Sequence, residues 1–205
     1  MIWDKVAFIY DLFAYLYNGK VHKKLCEKIA SMIDAEDEVL ECACGTGMLS
    51  LCIAPKCKSL TAGDLSQNML KRAQKKCKAY KNAAFSVSDI MKLDYPDNRF
   101  DTVIAANVIH LLDDPYAALK ELERVCKNGG KIIIPTYMSG KTEGRTNRIA
   151  RAAAKPGPVF KRQFSYKSYK AFFAEAGYTA TYDLIEGRLP CALAVIENRK
   201  NHGIG

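Results

Sequence analysis

The chain has 205 residues, of which 49% are hydrophobic and 26% charged, and this is the composition of a globular protein with an ordinary buried core. No apolar run is long enough to cross a bilayer and no secretory signal pattern is present, so we expect a cytoplasmic protein without integral membrane association. The formal net charge of +9 permits an anionic partner without choosing among a nucleic acid, a membrane surface and an acidic small molecule.

Residues 1–32 are expected to form an N-terminal helical cap with a break near Asn18-Gly19. Their apolar residues recur at helical spacing, which favours packing on the core. The segment is also rich in aromatic rings, including Tyr10, so it could instead close over a bound ligand. Both interpretations stay open.

Residues 39–50 predict a short strand, a tight turn and the start of a helix. Gly45 and Gly47 allow the turn, and such a junction presents backbone N–H groups to a nucleotide-like ligand. The third position of a dinucleotide fingerprint is occupied by Ser50 rather than by Gly or Ala. Glu41 at the strand end would repel a pyrophosphate but suits a ligand that carries an ammonium group.

Alternating strands and helices continue through residue 135, and they predict a parallel sheet with helices on both faces. Asp64 follows the second strand about 20 residues after the Gly loop, where an acid binds ribose hydroxyls. Alternatively, Asp64 or Ser66 caps the next helix. The fold class is α/β: a doubly wound, mostly parallel seven-stranded sheet with an antiparallel C-terminal edge pair. Besides the strand before the Gly loop, the expected strands are 59–63, 84–88, the apolar run that ends near Asn107, and 131–135. The expected helices are 67–80, 116–127 with a Gly C-cap, and 165–178, and a hairpin follows over 179–196.

The whole chain, 1–205, is interpreted as one domain. Residues 33–135 form its cofactor-binding core, and residues 165–198 its C-terminal helix and hairpin. Between them, residues 136–164 carry seven basic residues against one acid. This basic insertion either crosses the ligand crevice on the acceptor side or forms a solvated surface helix.

The eight cysteines show no disulfide framework and fall mostly in apolar segments, so we expect free thiols in a reducing compartment. Cys42 and Cys44 lack the two-residue spacer of zinc and redox motifs, and no His or Cys cluster completes a ligand set. We therefore expect no metal site.

Three stretches resemble one family. The pattern Glu41-x-x-x-Gly45-x-Gly47 resembles motif I of the class I S-adenosylmethionine-dependent methyltransferases, with Ala43 where a further Gly is usual. Residues 3–11 resemble the opening of the small-molecule methyltransferases akin to the ubiquinone/menaquinone C-methyltransferases. Residues 93–115 are similar to the middle of the same group, so the resemblance spans about residues 3–135.

The resemblance implies a set of site residues. Glu41 and the backbone of residues 43–47 would hold the methionine moiety, Asp64 would bind the ribose, and Tyr10 would lie near cofactor and acceptor. The full cofactor-binding set is Tyr10, Glu41, Ala43, Cys44, Gly45, Thr46, Gly47, Asp64, Leu65 and Met69 beside the base, Asp89 and Ile90 at the adenine, and Asn107 and Val108 near the sulfonium.

The resemblance also implies the reaction, in which S-adenosylmethionine gives its methyl group to a small-molecule acceptor and leaves as S-adenosylhomocysteine. The basic insertion suggests an anionic or lipid-like acceptor. Tyr10 and His110 are the candidate catalytic residues; His110 would act as a general base or acceptor ligand, or else be a local structural residue. The alternatives are an RNA methyltransferase, although no RNA-binding module is present and nucleic acid is not expected, and a non-catalytic S-adenosylmethionine-binding protein.

Overall fold

Seven strands form a single mixed sheet. The computed structural model describes residues 18–138 and 161–199. In chain order the strands are β1 Glu38–Cys42, β2 Ser59–Asp64, β3 Ala83–Val87, β4 Phe100–Ala105, β5 Cys126–Tyr137, β6 Thr181–Ile185 and β7 Cys191–Glu197. The helices are α1 over residues 18–30, α2 Ser50–Ile53 with a 3-10 turn Ala54–Lys56, α3 Gln67–Lys76, α4 Pro115–Val125 and α5 Tyr166–Glu175.

The strand order is β3-β2-β1-β4-β5-β7-β6. Strands β1 to β5 pair in parallel, while β7 is antiparallel to both β5 and β6. The predicted doubly wound sheet with an antiparallel C-terminal edge pair is therefore confirmed. Because the order reverses between β1 and β4, a crevice opens beyond the carboxyl ends of these strands, where α/β proteins bind their ligands.

Side chains that alternate along the strands form one apolar layer on each face of the sheet. In β1, Val39 belongs to the layer that is covered by α1, α2 and α3. Its neighbour Leu40 belongs to the layer covered by α4 and α5. Successive residues of a strand point to opposite faces of the sheet, and here both faces are buried, so successive side chains enter different layers.

Helix α5 shows the start and stop that the sequence predicts. Ser165 and Ser168 form a reciprocal capping box at its N-terminus. Gly177 follows the C-terminus with φ +83°, a conformation that disfavours other residues. Inside the helix, fully buried Tyr169 donates its hydroxyl to the carbonyl oxygen of Ile134, and this bond joins α5 to β5.

The predicted helix break near Asn18-Gly19 falls at the edge of the described residues. Both residues are helical in α1, and the chain before them lies outside the part that the structure describes. Asn18 is buried, and its amide nitrogen donates to the carbonyl oxygen of Leu189 at 2.8 Å. The turn between β6 and β7 thus binds a side chain that would otherwise compete with the helix backbone.

The predicted Gly C-cap after residue 127 is wrong. Helix α4 ends at Val125, and Cys126 is already extended and pairs with Phe100 as the start of β5. The carbonyl groups at this helix end are bound by a distant side chain, since the amide nitrogen of Asn198 donates to the carbonyl oxygens of Glu123, Cys126 and Lys127 at 3.0, 2.9 and 3.2 Å. With these bonds present, the helix ends without a left-handed glycine.

All eight cysteines are free, as predicted; seven are buried and Cys52 is partly exposed. Within residues 18–138 and 161–199, no helix combines the length and the apolar character that a membrane span needs. Helix α3 is shorter than predicted and ends at Lys76, four residues before the expected limit of 80.

Candidate cofactor site

The loop between β1 and α2 runs through a series of left-handed residues. Ala43, Gly45 and Gly47 have φ values of 53°, 56° and 75°. Ala43 is the strained member, because a residue with a Cβ disfavours this region. A Cβ on Gly47 would lie 2.9 Å from the Cα of Ala73, so α3 packs directly on the loop. The glycines therefore serve both a tight turn and a close helix contact.

The other two loop residues predicted to bind the cofactor have buried side chains. Cys44 is 7% exposed and Thr46 is 1% exposed. The backbone N–H of Cys44 donates to the carbonyl oxygen of Gly63 at 2.9 Å, and the Lys76 ammonium donates to the Thr46 hydroxyl at 3.2 Å. The side chains of these two residues therefore point into the fold, and the N–H of Cys44 is also used there.

Asp64, at the end of β2, holds two loops at once. Its Oδ2 accepts from the backbone N–H of Gly45 at 2.9 Å, and its Oδ1 accepts from that of Ser66 at 2.8 Å. Ser66 is the residue that caps α3, with its hydroxyl accepting from the backbone N–H of Met69 at 3.2 Å. The Asp64 carboxylate is half-buried at the end of β2.

Glu41 is buried below the loop, with 1% of its surface exposed. The Ser50 hydroxyl at the start of α2 donates to its Oε2 at 2.5 Å. Burial raises the pKa of Glu41 to about 8, and the bond from Ser50 opposes this rise. The carboxyl group thus links β1 to α2, while its contact with an ammonium group stays a prediction.

Two exposed apolar side chains flank Asp64. Leu65, a predicted base contact, is 47% exposed, whereas Met69 is only 4% exposed. Val87 is 55% exposed and lies directly opposite Asp64 in the β2–β3 register. Sequence reasoning missed Val87, since only the register between strands places it there.

The predicted adenine residues divide between surface and core. Asp89 is exposed, and its Oδ1 accepts from the backbone N–H of Met91 at 2.9 Å. Ile90 is 5% exposed and belongs to the apolar layer under α4. Of the two, Asp89 is the side chain that solvent reaches.

The end of β4 is fixed by Asn107, which has a left-handed φ of 53°. Its N–H donates to the carbonyl oxygen of Pro135 at 2.8 Å, and its Oδ1 accepts from the N–H of Tyr137 at 3.0 Å. The next residue, Val108, is 6% exposed and packs in the core. The two residues therefore differ in role. Asn107 is hydrogen-bonded to β5, whereas Val108 packs in the apolar layer under α4 and α5.

His110 lies in the segment after β4, which Arg162 binds. The carbonyl oxygen of His110 accepts from the backbone N–H groups of Lys161 and Arg162 at 3.1 and 3.2 Å. Burial, and secondly the Arg162 cation, lower the pKa of His110 to about 4. His110 is therefore neutral at pH 7, and such an imidazole is a weak general base.

Arg162 also binds this segment through its guanidinium group. Its Nη1 donates to the carbonyl oxygens of Ile109 and Leu112 at 2.9 and 2.8 Å. Sequence reasoning assigned Arg162 only to a basic insertion, because the carbonyl groups that it binds lie about 50 residues earlier in the chain. Tyr10, with residues 1–17, and most of the predicted insertion, residues 139–160, lie outside the described residues.

Replacing Arg162 by methionine should lower the free energy of unfolding by about 1–3 kcal/mol, because buried carbonyl groups lose a charged donor. The same change should raise the pKa of His110, since its cationic neighbour is gone. Urea denaturation and the NMR titration of His110 measure the two effects. Lys161→Met is the matched control: it removes only the exposed ion pair with Asp113 and should change stability by less than about 0.5 kcal/mol. Equal effects of the two substitutions would contradict this role.

A parallel sheet with a Gly-containing loop after β1 and an acid at the end of β2 defines a protein that binds a nucleotide-like cofactor at the strand ends. A family model described as "Methyltransferase domain" matches residues 40–134. The chain belongs to this methyltransferase family. The match begins within β1 and ends within β5, and it includes all the predicted cofactor residues except Tyr10.

Curated relatives agree with the family. Phosphatidylethanolamine N-methyltransferase of Cereibacter sphaeroides is 31% identical over 141 residues, which cover 67% of this chain and 68% of the relative. The ubiquinone/menaquinone biosynthesis C-methyltransferase UbiE of Rickettsia bellii is 33% identical over 142 residues, or 64% of this chain. The match spans only 57% of the UbiE chain.

Solved structures share the fold. The N-methyltransferase NodS from Bradyrhizobium japonicum, in complex with S-adenosyl-L-homocysteine, has a TM-score of 0.69 at 19% identity, covering 89% of this chain and 88% of NodS. The [4+2]-cyclase SpnF has a TM-score of 0.71 at 18% identity, covering 86% of this chain and 81% of SpnF. The fold thus occurs in proteins described by different reactions, and it does not by itself define the chemistry.

Proposed function

We propose that the protein transfers a methyl group from S-adenosylmethionine to a small-molecule acceptor. Family membership carries this proposal, together with the linkage of Asp64 to the Gly45 backbone at 2.9 Å. The linkage supports it because it places a carboxylate next to a strained loop at the carboxyl ends of the strands.

The crevice has features that fit an adenosyl group. Asp64 would accept hydrogen bonds from the ribose hydroxyls. Leu65 and Val87, both exposed beside it, would contact the two faces or edges of a flat ring, and the exposed carboxylate of Asp89 would accept from the adenine amino group. Backbone groups of residues 43–47 would bind the methionine moiety.

The cofactor, when bound, supplies an electrophilic methyl group on a sulfonium. The residues of the chain contribute position rather than a covalent nucleophile. Asn107 fixes the end of β4, and neutral His110 would accept a proton only from an acceptor that loses one readily, because its pKa is about 4. The catalytic roles of Tyr10 and His110 belong to this proposal.

A lipid-like acceptor is the class that we favour. The names of the relatives include a phospholipid amine and the isoprenoid quinones. The seven basic residues of the insertion would attract an anionic headgroup or surface. We further propose that the chain acts as one domain in the cytoplasm. The RNA alternative has only the net charge of +9 in its favour.

Two assays test the proposal. Calorimetry should detect S-adenosylhomocysteine binding, and radiolabelled S-adenosylmethionine should transfer its methyl group to one of three acceptors: vesicles with phosphatidylethanolamine, a demethylated quinol, or total RNA. Label in a lipid or quinol supports the proposal. Label in RNA would instead support an RNA methyltransferase. Binding of S-adenosylhomocysteine without methyl transfer to any acceptor would support a non-catalytic binding protein. Absence of binding to well-folded protein would overturn it.

A further inference from the structure

The two faces of the sheet differ strongly in charge. The segments that cover the face of α1, α2 and α3, residues 18–33 and 49–82, contain twelve basic residues and two acids. The segments that cover the opposite face, residues 107–125 and 161–178, contain six basic residues and five acids. The positive potential of the described chain is therefore concentrated on the side of α1 to α3.

The outer side of α3 carries a row of lysines. The apolar side of this helix packs on the sheet. Lys71 and Lys75 are exposed on the other side, four residues apart and thus on one face of the helix. Lys78, in the turn after the helix, is exposed as well and continues the row at helical spacing. The three ammonium groups point toward solvent along one line.

A second group of lysines lies where the chain leaves α3. The amide nitrogen of Asn82 donates to two carbonyl oxygens of residues 54–57 at 2.8 and 3.0 Å, so this part of the chain is held against the 3-10 turn. Lys81 directly precedes Asn82, while Lys56 ends the turn and Lys58 follows it, and all three are exposed. The six exposed lysines of the two groups form what we call the lysine patch: Lys56, Lys58, Lys71, Lys75, Lys78 and Lys81.

The side chains beside the patch favour one kind of anionic partner. Leu51, on the outer side of α2, is 38% exposed, and Pro55 is exposed four residues later. Surfaces that bind single-stranded nucleic acid combine basic groups with stacked aromatic rings, whereas these two neighbours are aliphatic. The patch itself consists only of lysines, which act as point charges and need no bidentate partner. A cluster of lysines with an exposed leucine suits a layer of anionic headgroups over hydrocarbon.

We propose that the lysine patch binds the surface of a membrane that contains anionic phospholipids, with Leu51 at the level of the headgroups. The binding is peripheral and electrostatic, so it weakens as salt screens the charges.

The position of the patch connects it to the cofactor crevice. Helix α3 begins there, since the carboxylate of Asp64 accepts from the backbone N–H of its cap residue, Ser66. Lys71 follows about one helical turn after the first residue of the helix. A membrane bound to the patch would present a lipid-like acceptor next to the crevice. This consequence rests on the proposed function, whereas membrane binding itself does not.

Sedimentation with vesicles tests the proposal on the full chain in the absence of S-adenosylmethionine. The vesicles consist of phosphatidylcholine alone or with about one-third phosphatidylglycerol. The protein should bind the anionic vesicles at least about tenfold more tightly than the neutral ones, and about 0.5 M salt should abolish most of this difference. Equal binding to both vesicles would overturn the proposal. Because no methyl donor is present, that result would leave the proposed methyl transfer in place.

Charge reversal then assigns the binding to the patch. Lys71→Glu, Lys75→Glu and Lys78→Glu together should weaken binding to the anionic vesicles by roughly 100-fold or more. The matched control reverses three exposed lysines outside the patch, Lys92→Glu, Lys120→Glu and Lys167→Glu, and should lose only about threefold at the same net charge.

Two further measurements guard these results. Thermal unfolding shows whether both triple variants are folded, and the glutamine versions of the three patch substitutions, which add no acid, should weaken binding in the same direction by about tenfold or more. An equal loss in the patch and control variants would overturn the proposal. Tighter binding of the parent to total RNA than to the anionic vesicles, lost in the patch variant, would also overturn it and assign the patch to nucleic acid.

Discussion

In the parent protein, we expect the free energy of unfolding to fall between pH 5 and pH 8. In Glu41→Gln this fall should be much smaller. The folded carboxyl keeps its proton up to a pKa of about 8, whereas the unfolded one ionises near 4.5. The folded state therefore binds more protons in this interval, and its stability falls as the pH rises. At about 1.4 kcal/mol per pH unit, and less near each pKa, the Glu41 contribution declines by roughly 3.5 kcal/mol between pH 5 and pH 8.

Urea denaturation of both proteins at pH 5, 6, 7 and 8 measures this effect as a difference. His110 acts in the opposite direction, because its lowered pKa makes stability rise between about pH 4 and 6.5, but it is present in both proteins and cancels. Glu38→Gln in the same strand is the control. The bond from Arg99 lowers the pKa of Glu38, which is the opposite direction from Glu41, so the fall in stability from pH 5 to pH 8 should be the same in this variant as in the parent. A Glu41→Gln profile that is also parallel would refute the buried, protonated carboxyl.

Asp64→Asn should weaken the binding of S-adenosylhomocysteine by roughly 100-fold, which is about 2.7 kcal/mol. The substitution removes the charge that would accept the ribose hydroxyls. It also replaces one of the two carboxylate oxygens by an NH2 group. This group is a donor and would face the N–H of Gly45 or of Ser66, which is also a donor. Hydrogen bonds to a charged group contribute about 1.5–3 kcal/mol each, so one strong contact accounts for the expected loss.

Calorimetric titration of folded Asp64→Asn measures this loss. Asp94→Asn makes the same change of charge at an exposed position between β3 and β4 and should bind with the affinity of the parent. Thermal unfolding shows whether the Asp64 variant has also lost the loop structure. Equal affinity of the Asp64 variant and the parent would remove the ribose-binding role while leaving the family assignment in place.

Local patterns were enough to predict the sheet and the position of the loop. The two-residue alternation around Val39 and Leu40, and the glycines at 45 and 47, act over a few residues, so the sequence displays them directly. The family resemblance was confirmed for the same reason, because its motifs lie within single strand–loop units. Capping by Ser165 and Gly177 was predictable on the same local basis.

Long-range contacts explain what the sequence did not reveal. The end of α4 is bound by Asn198, more than 70 residues away, and the side chain of Asn18 in α1 is bound by the carbonyl oxygen of Leu189. The burial of Glu41 and the position of Val87 likewise follow from helix packing and strand register. Such contacts have no signature within a short window of sequence.

The bonds of Asn198 have a consequence for the chain's C-terminus. Asn198 directly follows β7, and its side-chain amide donates to the carbonyl groups at the C-terminal end of α4. One side chain thus connects the last strand of the chain to a helix from its middle. A protein that ends at residue 199 keeps these hydrogen bonds. A protein that ends at residue 197 lacks Asn198, so three carbonyl groups lose their donor at once. The tolerated limit of truncation is therefore set by a side chain, and it is sharp to within a residue or two.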